Sequence, residues 1–523
     1  MAIGSIFHIL RLARAGYVLA REGVFAQIDP ALAPPAARPL LAVAKLIARA
    51  PASDGSSGLV AAFARLGPSY VKLGQFLATR PDVVGPRAVG ELEKLQDKMP
   101  AFPRAVAVSI VEAAFGKKLD EIFVEFGEPV AAASIAQVHR AKARTAEGVA
   151  DVAVKVLRPG VEPRFARDLS DMYFAARFAE RHIAEARRLR AIQVVDTLAR
   201  TVRMEMDFRL EAAAASEFAE NCAGDTEFRV PGVDWDRTAK DVLTLEWIDG
   251  VPLSDVDGLK KAGADLAELG RVVIQSFLRN AMRDGFFHAD MHQGNLFRDR
   301  EGRLVAVDFG IMGRLGLKER RFLAEILYGF ITRDYLRVAE VHFEAGYVPD
   351  THRVEDFAQA IRAIGEPIHS HTADQISMAK LLTLLFEITA LFDMRTRTEL
   401  VLLQKTMVVV EGVARGFDPK LDIWATSDPV VRSWIEENLG PIGKLSDAGR
   451  GLGLLAKATG GLPDFLARVN SLAVKFEHAA EHGFHLSAIS LEGIGRAEAR
   501  RARWTAAALW VIALTLVAIW WRS

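Results

Sequence analysis

Apolar residues recur every three or four positions over much of the chain, which is the spacing of amphipathic helices. Helical structure is predicted from Leu59 onward, with an interruption at Gly67 and Pro68 and a stop at Pro81. Further helices are predicted at residues 40–50, 86–98 and 104–115. Prolines and serines flank the first of these, so residues 1–58 are expected to form an N-terminal helix and a linker.

Strand-like alternation with β-branched residues begins further along the chain. It covers residues 130–139 and 149–157, and a third short stretch at 242–248 is followed closely by a glycine. After Gly310 the pattern is again almost wholly helical. We therefore expect an α+β fold in which the strands occupy the middle of the chain and helices dominate the C-terminal part.

The two ends of the chain are apolar in different ways. Near the N-terminus, Arg11 and Arg14 interrupt an apolar stretch, which predicts an amphipathic helix that either packs on the fold or lies on a membrane surface. At the C-terminus, residues 504–521 are uncharged and would span about 27 Å as a helix, close to the thickness of a hydrocarbon core. Tryptophans mark both ends of this segment and arginines precede it. We expect a transmembrane tail anchor in the inner membrane, with the body of the protein in the cytoplasm.

Composition excludes several classes of function. Lysine plus arginine and aspartate plus glutamate number 66 each in the 523 residues, so no net field favours nucleic acid as a partner. Cys222 is the single cysteine, which rules out an intramolecular disulfide and cysteine-rich zinc sites and fits a reducing compartment. At this length about three domains are expected.

The segment HADMHQGN, followed by DFG, carries the most informative chemistry in the chain. Its aspartate is Asp290, its asparagine is Asn295, and the aspartate of DFG is Asp308. Kinase-type enzymes use this spacing to hold a base and two oxygen ligands for Mg²⁺ beside a nucleotide. We predict Asp290 as the base or water-orienting group, Asn295 and Asp308 as metal ligands, and His288 as a support for the loop.

Lys155 lies in the strand-like segment VAVKVL, where a kinase-type enzyme carries the lysine that contacts nucleotide phosphates. Such a lysine needs a carboxylate on a helix to hold it extended. Glu211 is the first candidate and Glu205 the second, because both lie in the charged helical stretch that follows Lys155.

The loop before this strand contains alanine where a nucleotide-binding loop is usually rich in glycine. Its residues are Ala131, Ala132, Ala133 and Ser134. Each alanine methyl group restricts positive φ, so the loop should be stiffer than a glycine loop and should hold a nucleotide in a different pose.

The strand at 242–248 lies between the Lys155 and Asp290 regions, which is the position of a hinge between two lobes. Backbone groups of Glu246 and Ile248 are therefore candidates for contacting the edge of an adenine. No Ala-Pro-Glu follows the DFG, so the usual support for a peptide substrate is missing.

Together these motifs resemble the UbiB family of atypical kinase-like proteins, which is associated with ubiquinone biosynthesis. The matching motifs are VKLGQ with Lys72, Gly74 and Gln75, RPD at 80–82, AAASIAQVH, Lys155, EMDF with Glu205 and Asp207, Glu211, HADMHQGN and DFG. The resemblance covers residues 59–315. It implies a protein-kinase-like two-lobed fold that binds ATP with Mg²⁺.

The resemblance also implies a helical extension whose VKLGQ element lies over the active site. There, Lys72 would pair with Glu205 and Asp207 and close the cleft to protein substrates, with Gln75 in the same regulatory element. Members of the family are often described as accessories of a polyprenylphenol hydroxylase, but this chain carries no flavin, haem or iron motif for oxygen chemistry.

The expected organisation has six parts. These are the N-terminal helix and linker (1–58), a helical extension (59–125), a kinase-like N-lobe with a helical insert (126–250), a C-lobe (251–430), C-terminal helices (431–503) and the tail anchor (504–521). The expected function is a membrane-anchored kinase or ATPase that supports ubiquinone biosynthesis, beside a membrane lipid or polyprenyl quinone precursor and other proteins of that pathway. Two alternatives stay open: a small-molecule kinase for a lipid or prenylphenol hydroxyl, and an ATP-gated scaffold or lipid-extraction module without phosphoryl transfer.

Overall fold

The computed structural model describes most of the chain up to residue 439. The described residues are 3–25, 38–49, 58–78, 84, 86–92, 95, 99–183, 186–187, 189–370, 388, 391–394 and 398–439. They belong to a first unit, residues 1–437, and to the first two residues of a second unit, 438–523. The predicted tail anchor at 504–521 and most of the predicted C-terminal helices lie outside these ranges. No helix within the described ranges is long and apolar enough to cross a bilayer, so the anchor stays a prediction.

The strands and helices of the described residues follow in chain order. The strands are β1 (Glu125–Ala132), β2 (Ala136–Thr145), β3 (Gly148–Leu157), β4 (Phe228–Arg229), β5 (Val242–Glu246), β6 (Gly250–Pro252), β7 (Phe286–His288), β8 (Leu296–Asp299), β9 (Leu304–Ala306) and β10 (Met312–Arg314). The helices before β4 are α1 (Ile3–Arg21), α2 (Arg38–Ile47), α3 (Gly58–Leu66), α4 (Pro68–Ala78), α5 (Pro86–Leu92), α6 (Arg104–Phe115), α7 (Leu119–Ile122), α8 (Val161–His182), α9 (Ala191–Glu205) and α10 (Phe208–Asn221). Those after β5 are α11 (Val256–Lys261), α12 (Leu266–Arg279), α13 (Leu317–Ile331), α14 (Tyr335–Glu344), α15 (Val354–Ser370), α16 (Thr398–Phe417) and α17 (Ile423–Leu439).

A four-stranded antiparallel sheet in the order β1-β2-β3-β5 forms the first lobe. The single strand predicted at 130–139 was wrong, because these residues are the end of β1, a tight turn and the start of β2. The turn closes where the Ala133 amide donates to the Ala136 carbonyl at 2.8 Å. Residues 131–133 are all alanine, whereas a turn is usually marked by glycine or asparagine. The alanines therefore gave no sign of where β1 ends.

The back of this sheet is covered by α6, whose predicted bounds, 104–115, are confirmed. Alternate valines of β3, Val152, Val154 and Val156, pack in one core cluster with Ala107 and Val111 of α6. Because strand side chains alternate between faces, the residue between the last two of these valines, Lys155, points to the other face. Because the valines pack in the core on one side of the sheet, Lys155 points into the cleft on the other side.

The second lobe is built mainly from helices. It contains a small sheet in the order β4-β9-β8-β6 and the pair β7-β10. The buried helix α12 packs against α16 so closely that a Cβ on Gly270 would lie 3.1 Å from the Ala414 carbonyl oxygen. The chain then makes a π-helical turn, Asn280–Asp284, before β7. The kinase-like α+β fold with a helix-rich C-terminal region is confirmed.

Within the helical extension, α4 packs on α8, whereas α6 packs on the sheet. The predicted interruption between α3 and α4 is confirmed at Gly67, whose φ of +99° lies in the left-handed region. Arg164 of α8 donates to the Leu66 carbonyl at the end of α3, at 3.0 Å. Nearly two turns beyond the start of α4, Gly74 faces the side chains of Phe63 and Leu95. A Cβ on Gly74 would lie 2.3 Å from Leu95 Cδ1, so this close approach requires glycine.

Replacing Gly74 by alanine should destabilise the protein by roughly 1–3 kcal/mol, because the added methyl group overpacks the contact between α3 and α4. The matched control is Gly90→Ala in α5, where nothing lies within 4 Å of the added Cβ. This control should be neutral or stabilising by up to about 1 kcal/mol, as expected in a helix. Thermal unfolding of the two variants measures the difference. Equal melting temperatures would show that the Gly74 contact is not tight.

Candidate active site

Lys155 is held between two carboxylates at the junction of the lobes. Its Nζ lies 2.8 Å and 3.1 Å from the two Glu211 carboxylate oxygens and 3.2 Å from Asp308 Oδ1. Of the two candidate partners, the structure therefore pairs Glu211 with Lys155. Glu205 ends the preceding helix and pairs elsewhere. Three segments that are far apart in sequence meet at this one ammonium group.

Burial and the charges of their neighbours shift the pKa values of Lys155, Glu211 and Asp308. Burial raises the pKa of Glu211 to about 7, with the Asp308 charge adding to this effect and the Lys155 cation opposing it. Burial acts against the charged form of Asp308 as well, but Lys155 and the Gly310 amide outweigh it and hold the Asp308 pKa well below its ordinary value. The two carboxylates likewise raise the pKa of Lys155 despite its burial. The Asp308 side chain remains 48% exposed, so its carboxylate is open to a ligand from the solvent side.

The backbone at Asp308 is strained and held in place by its neighbours. Its φ of 68° lies in the left-handed region, which a residue other than glycine occupies at a cost of about 1–3 kcal/mol. The Phe309 amide donates to Glu211 at 3.3 Å, and the Gly310 amide donates to Asp308 Oδ1 at 3.3 Å. The Phe309 ring is buried and packs beside Phe218 of α10. Hydrogen bonds and packing together fix the direction of the Asp308 carboxylate.

His288 supports the loop from Ala289 to Asn295 through hydrogen bonds. The Asp290 amide donates to His288 Nδ1 at 3.0 Å, while Nε2 faces the Val307 carbonyl at 3.4 Å. Burial lowers the pKa of His288, which keeps the ring neutral with one donor and one acceptor. The predicted support by His288 is confirmed, and it leaves the Asp290 side chain 37% exposed.

Asn295 is positioned by two hydrogen bonds that also link it to the strand leading into Asp308. Its Nδ2 donates to the Asp290 carbonyl at 3.1 Å, and its own carbonyl accepts the Val307 amide at 2.8 Å. With the nitrogen engaged in this way, the side-chain oxygen of Asn295 is the atom left to face a ligand.

Amide and carboxylate oxygens are the donors that Mg²⁺ prefers, so Asn295 and Asp308 fit this metal. Within the described ranges, no group of three or more His, Cys, Asp or Glu side chains could hold a metal. Asn295 and Asp308 would therefore supply the protein ligands, with phosphate and water completing the shell.

The alanine loop is closed onto itself and onto the segment before α6. Ala131 and Ala132 pair with β2, and the Ala133 amide is engaged within the turn. Arg158, just after β3, donates to the Ala133 carbonyl at 2.9 Å, and Ser134 is fully buried. At least one backbone donor that a glycine loop would present to phosphate is occupied by the protein. Nucleotide contact by these four residues stays a prediction.

An ion pair joins the VKLGQ helix, α4, to the end of α9 near the site. Lys72 Nζ lies 2.8 Å from Glu205 Oε2, and both side chains are only about a tenth exposed. Asp207 caps the start of α10, where it accepts the Arg209 amide and guanidinium, and these contacts lower its pKa. Gln75 lies on α4, three residues beyond Lys72, and is half-buried. Of the two pairings that the resemblance implies, the structure shows the one with Glu205.

Comparison with known proteins identifies the family of this chain. A model of the ABC1 atypical kinase-like domain matches residues 94–342, and a model of the UbiB helical domain matches residues 361–422. A relative from Marinobacter nauticus, named probable protein kinase UbiB, is 40% identical over 387 residues, which are 73% of this chain and 70% of the relative. The chain belongs to the UbiB family. A Mycobacterium tuberculosis protein solved in complex with erythromycin is 26% identical, with 70% of this chain and 93% of that chain covered and a TM-score of 0.48.

The two matched domains of this UbiB protein meet at the loop that carries Asp290. Thr406 lies on α16, in the UbiB helical domain, and is fully buried. Its Oγ1 lies 3.1 Å from the Ala289 carbonyl oxygen and 2.8 Å from the Leu402 carbonyl oxygen. Sequence reasoning missed Thr406, because a threonine inside an apolar helix carries no signal of a contact 117 residues away. The helical domain therefore contacts the loop that carries Asp290 through a buried hydrogen bond.

The hinge segment of this UbiB protein offers fewer free groups than predicted. The Glu246 amide donates to the Gly232 carbonyl at 2.8 Å, and its carboxylate pairs with Arg229 at 2.9 Å. Ile248 is buried. An adenine contact at Glu246 would therefore use the carbonyl rather than the amide.

Replacing Thr406 by valine keeps the shape of the side chain but removes the hydroxyl donor. The variant should lose about 1–3 kcal/mol of stability, because a buried carbonyl loses a partner. Amide hydrogen exchange in residues 289–295 should become faster. Thr406→Ser, which keeps the hydroxyl, should exchange like the wild type in this loop. If the loop amides of Thr406→Val were as protected as in the wild type, the brace would be unnecessary.

Proposed function

We propose that this UbiB-family protein is a membrane-anchored atypical kinase or ATPase that binds ATP with Mg²⁺ and supports ubiquinone biosynthesis. The observation that carries the proposal is the position of Lys155 between Glu211 and Asp308. A lysine held extended by a helix carboxylate, beside an aspartate that binds metal, is the arrangement kinase-type enzymes use on nucleotide phosphates.

Each group at the junction has a defined task in this proposal. Lys155 contacts phosphate oxygens, and Glu211 orients it. Asn295 and Asp308 would hold Mg²⁺, which would supply positive charge beside the phosphates. Asp290 is half-exposed beside them and accepts a proton from the attacking hydroxyl or orients water.

The nucleotide is held between the lobes in a pose suited to a stiff loop. Ala131, Ala132, Ala133 and Ser134 cover it without the free amides of a glycine loop. The hinge at Glu246 and Ile248 contacts the adenine edge, with the Glu246 amide already engaged.

The VKLGQ helix acts as a lid that selects the acceptor. The Lys72–Glu205 pair is nearly buried, and at such a site the attraction is of the order of a few kcal/mol. Moving the helix away would leave both charges in a largely buried site without this partner, so the helix stays over the cleft and keeps a protein substrate out. Gln75 and Asp207 flank the pair along α4 and at the start of α10. A small hydroxyl compound or water is therefore the favoured acceptor.

The membrane location rests on the sequence of the C-terminal segment. Residues 504–521 form a tail anchor whose preceding arginines keep residues 1–503 on the cytoplasmic side of the inner membrane. Tethering raises the local concentration of the enzyme beside a polyprenyl quinone precursor or another lipid. The partners are ATP, such a lipid, and other ubiquinone-biosynthesis proteins. The six-part organisation given above is proposed with this topology.

Replacing Asp308 by asparagine should lower Mg²⁺-dependent ATP turnover by about a hundredfold or more, because the metal loses its charged ligand. The fold should persist, since the side chain is half-exposed. The matched control is Asp257→Asn, an exposed carboxylate in the first turn of α11, which should turn over like the wild type. Phosphate release at saturating Mg²⁺ is the measurement. Unchanged turnover in Asp308→Asn would exclude Asp308 as a metal ligand.

The fate of a labelled γ-phosphate separates the kinase and ATPase forms of the proposal from the alternatives. Transfer to a lipid or prenylphenol hydroxyl supports a small-molecule kinase, and release as free phosphate supports an ATPase. Binding without turnover supports an ATP-gated scaffold or lipid-extraction module and would overturn both catalytic forms.

Deleting the gene should lower the ubiquinone pool of the source organism, and complementation should distinguish catalysis from scaffolding. The wild type should restore the pool, whereas Asp290→Asn should not. This substitution removes the proposed base but keeps the hydrogen bond from the backbone amide of residue 290 to His288. Lipid extracts analysed for quinones and their precursors give the result. A normal pool after deletion would remove the pathway assignment.

A further inference from the structure

Helix α1 is amphipathic in the opposite sense to an ordinary surface helix. Its polar residues His8 and Arg11 face the protein, where both bind the carboxylate of Asp171 in α8. The Arg11 guanidinium donates to the two oxygens at 2.6 Å each, and Asp171 is only 3% exposed. The buried Ala15 and the partly buried Leu19 lie on the same side of α1, so ion pairs and apolar packing together fix the helix to the protein.

The opposite face of α1 is apolar and open. Its large exposed side chains are Ile6, Phe7, Ile9, Leu10 and Tyr17, each between 47% and 61% exposed. At 100° per residue they form one stripe roughly 160° wide, which also holds Ala13 and Arg14. We name this stripe the outer face of α1. A water-exposed helix would carry charge here, so the outer face is built for contact with an apolar environment.

Neighbouring elements extend the apolar surface. Helix α2 packs against α1 and exposes Val43 and Leu46, the latter 86% exposed. The outer face of α1 is therefore accompanied by exposed apolar side chains of the adjoining α2.

The charged residues of α1 and α2 have one sign. Neither helix contains an aspartate or glutamate, whereas Arg14 lies in the stripe and Lys45 lies on α2. At the end of α1, Arg21 donates to the Tyr17 hydroxyl at 2.7 Å, so an aromatic ring and a cation lie at the edge of the stripe. A second copy packed on this face would bury Arg14 of both chains with no acidic residue of α1 or α2 to pair with it, which disfavours such a contact. An anionic bilayer matches both the apolar stripe and the cations.

We propose that the outer face of α1 is a peripheral membrane-binding surface that lies in the interface of an anionic bilayer. The inference rests on the membrane location proposed above, but not on the tail segment. In this arrangement Ile6 and Leu10 enter the acyl boundary, while Arg14 and Tyr17 lie at the level of the headgroups. The polar side of the helix stays bound to Asp171, so the surface is preformed before it meets lipid.

The single cysteine makes a local test possible in the full chain. Cys222 is buried, and burial raises its pKa to about 12, so it reacts poorly with thiol reagents. A polarity-sensitive fluorophore on Leu10→Cys therefore reports on the outer face alone. With vesicles of phosphatidylcholine and phosphatidylglycerol, its emission should shift to the blue and brominated acyl chains should quench it severalfold. The matched control is Val149→Cys, an equally exposed residue at the turn between β2 and β3, which should show neither change.

Charge is tested in the same labelled protein. Adding Arg14→Glu should reduce quenching by anionic vesicles severalfold, and pure phosphatidylcholine should quench less than the mixture. Equal quenching by neutral and anionic vesicles would overturn the requirement for anionic lipid.

The outcomes also separate this surface from the tail anchor. Vesicle flotation without quenching at residue 10 would overturn the inference and leave the anchor intact. Quenching in a protein that alkaline carbonate strips from the vesicles would support the surface and overturn the anchor. A blue shift without vesicles that rises with protein concentration would identify a second copy as the occupant, and one that is independent of concentration would identify another part of the same chain. Either of these last two results would overturn the inference.

Discussion

The ion pair between Lys155 and Glu211 is the interaction on which the geometry of the site depends. A charged lysine inside a protein is stable only with close partners, and here those partners come from α10 and from the turn at Asp308. Satisfying the lysine therefore fixes the position of α10 against the sheet and the direction of the Asp308 turn at the same time. The strained φ of Asp308 persists because Glu211 also accepts the Phe309 amide.

Much of this site could be predicted from sequence, because phosphate chemistry requires particular residue types at particular spacings. Asp290, Asn295 and Asp308 lie on one short segment, so their proximity follows from local structure. The partner of Lys155 was left open between Glu211 and Glu205, since both lie on helices whose packing depends on distant contacts. Thr406 was missed because a tertiary hydrogen bond from a helix interior has no local pattern. The strand predicted across residues 130–139 was wrong because alanine is not a turn residue by propensity, although a loop was expected at residues 131–134.

Helix α1 shows a different limit of sequence reasoning. The periodicity correctly predicted an amphipathic helix, with bounds of Ile3–Arg21 in the structure. Which face lies inward could not follow from periodicity, because that reasoning assumes that apolar residues face the core. A buried carboxylate of α8, Asp171, binds His8 and Arg11 and so turns these polar residues inward, together with the buried Ala15. A partner 160 positions from Arg11 thus contributes to how the helix is presented to its surroundings.

Arg158 bears on whether the kinase-like part of this protein is a self-contained module. Its guanidinium donates to the carbonyls of Pro100 and Ala133 and stacks over the Phe102 ring, while Phe102 exchanges two hydrogen bonds with Gln137 of β2. Residues 99–102 are therefore built into the nucleotide-side edge of the sheet, although they precede its first strand by more than twenty positions. A fragment cut at the start of β1 would keep the hydrogen bond from Arg158 to Ala133 but would lose Pro100, Phe102 and the α6 side of its core. The folding unit of this lobe therefore begins well before its first strand.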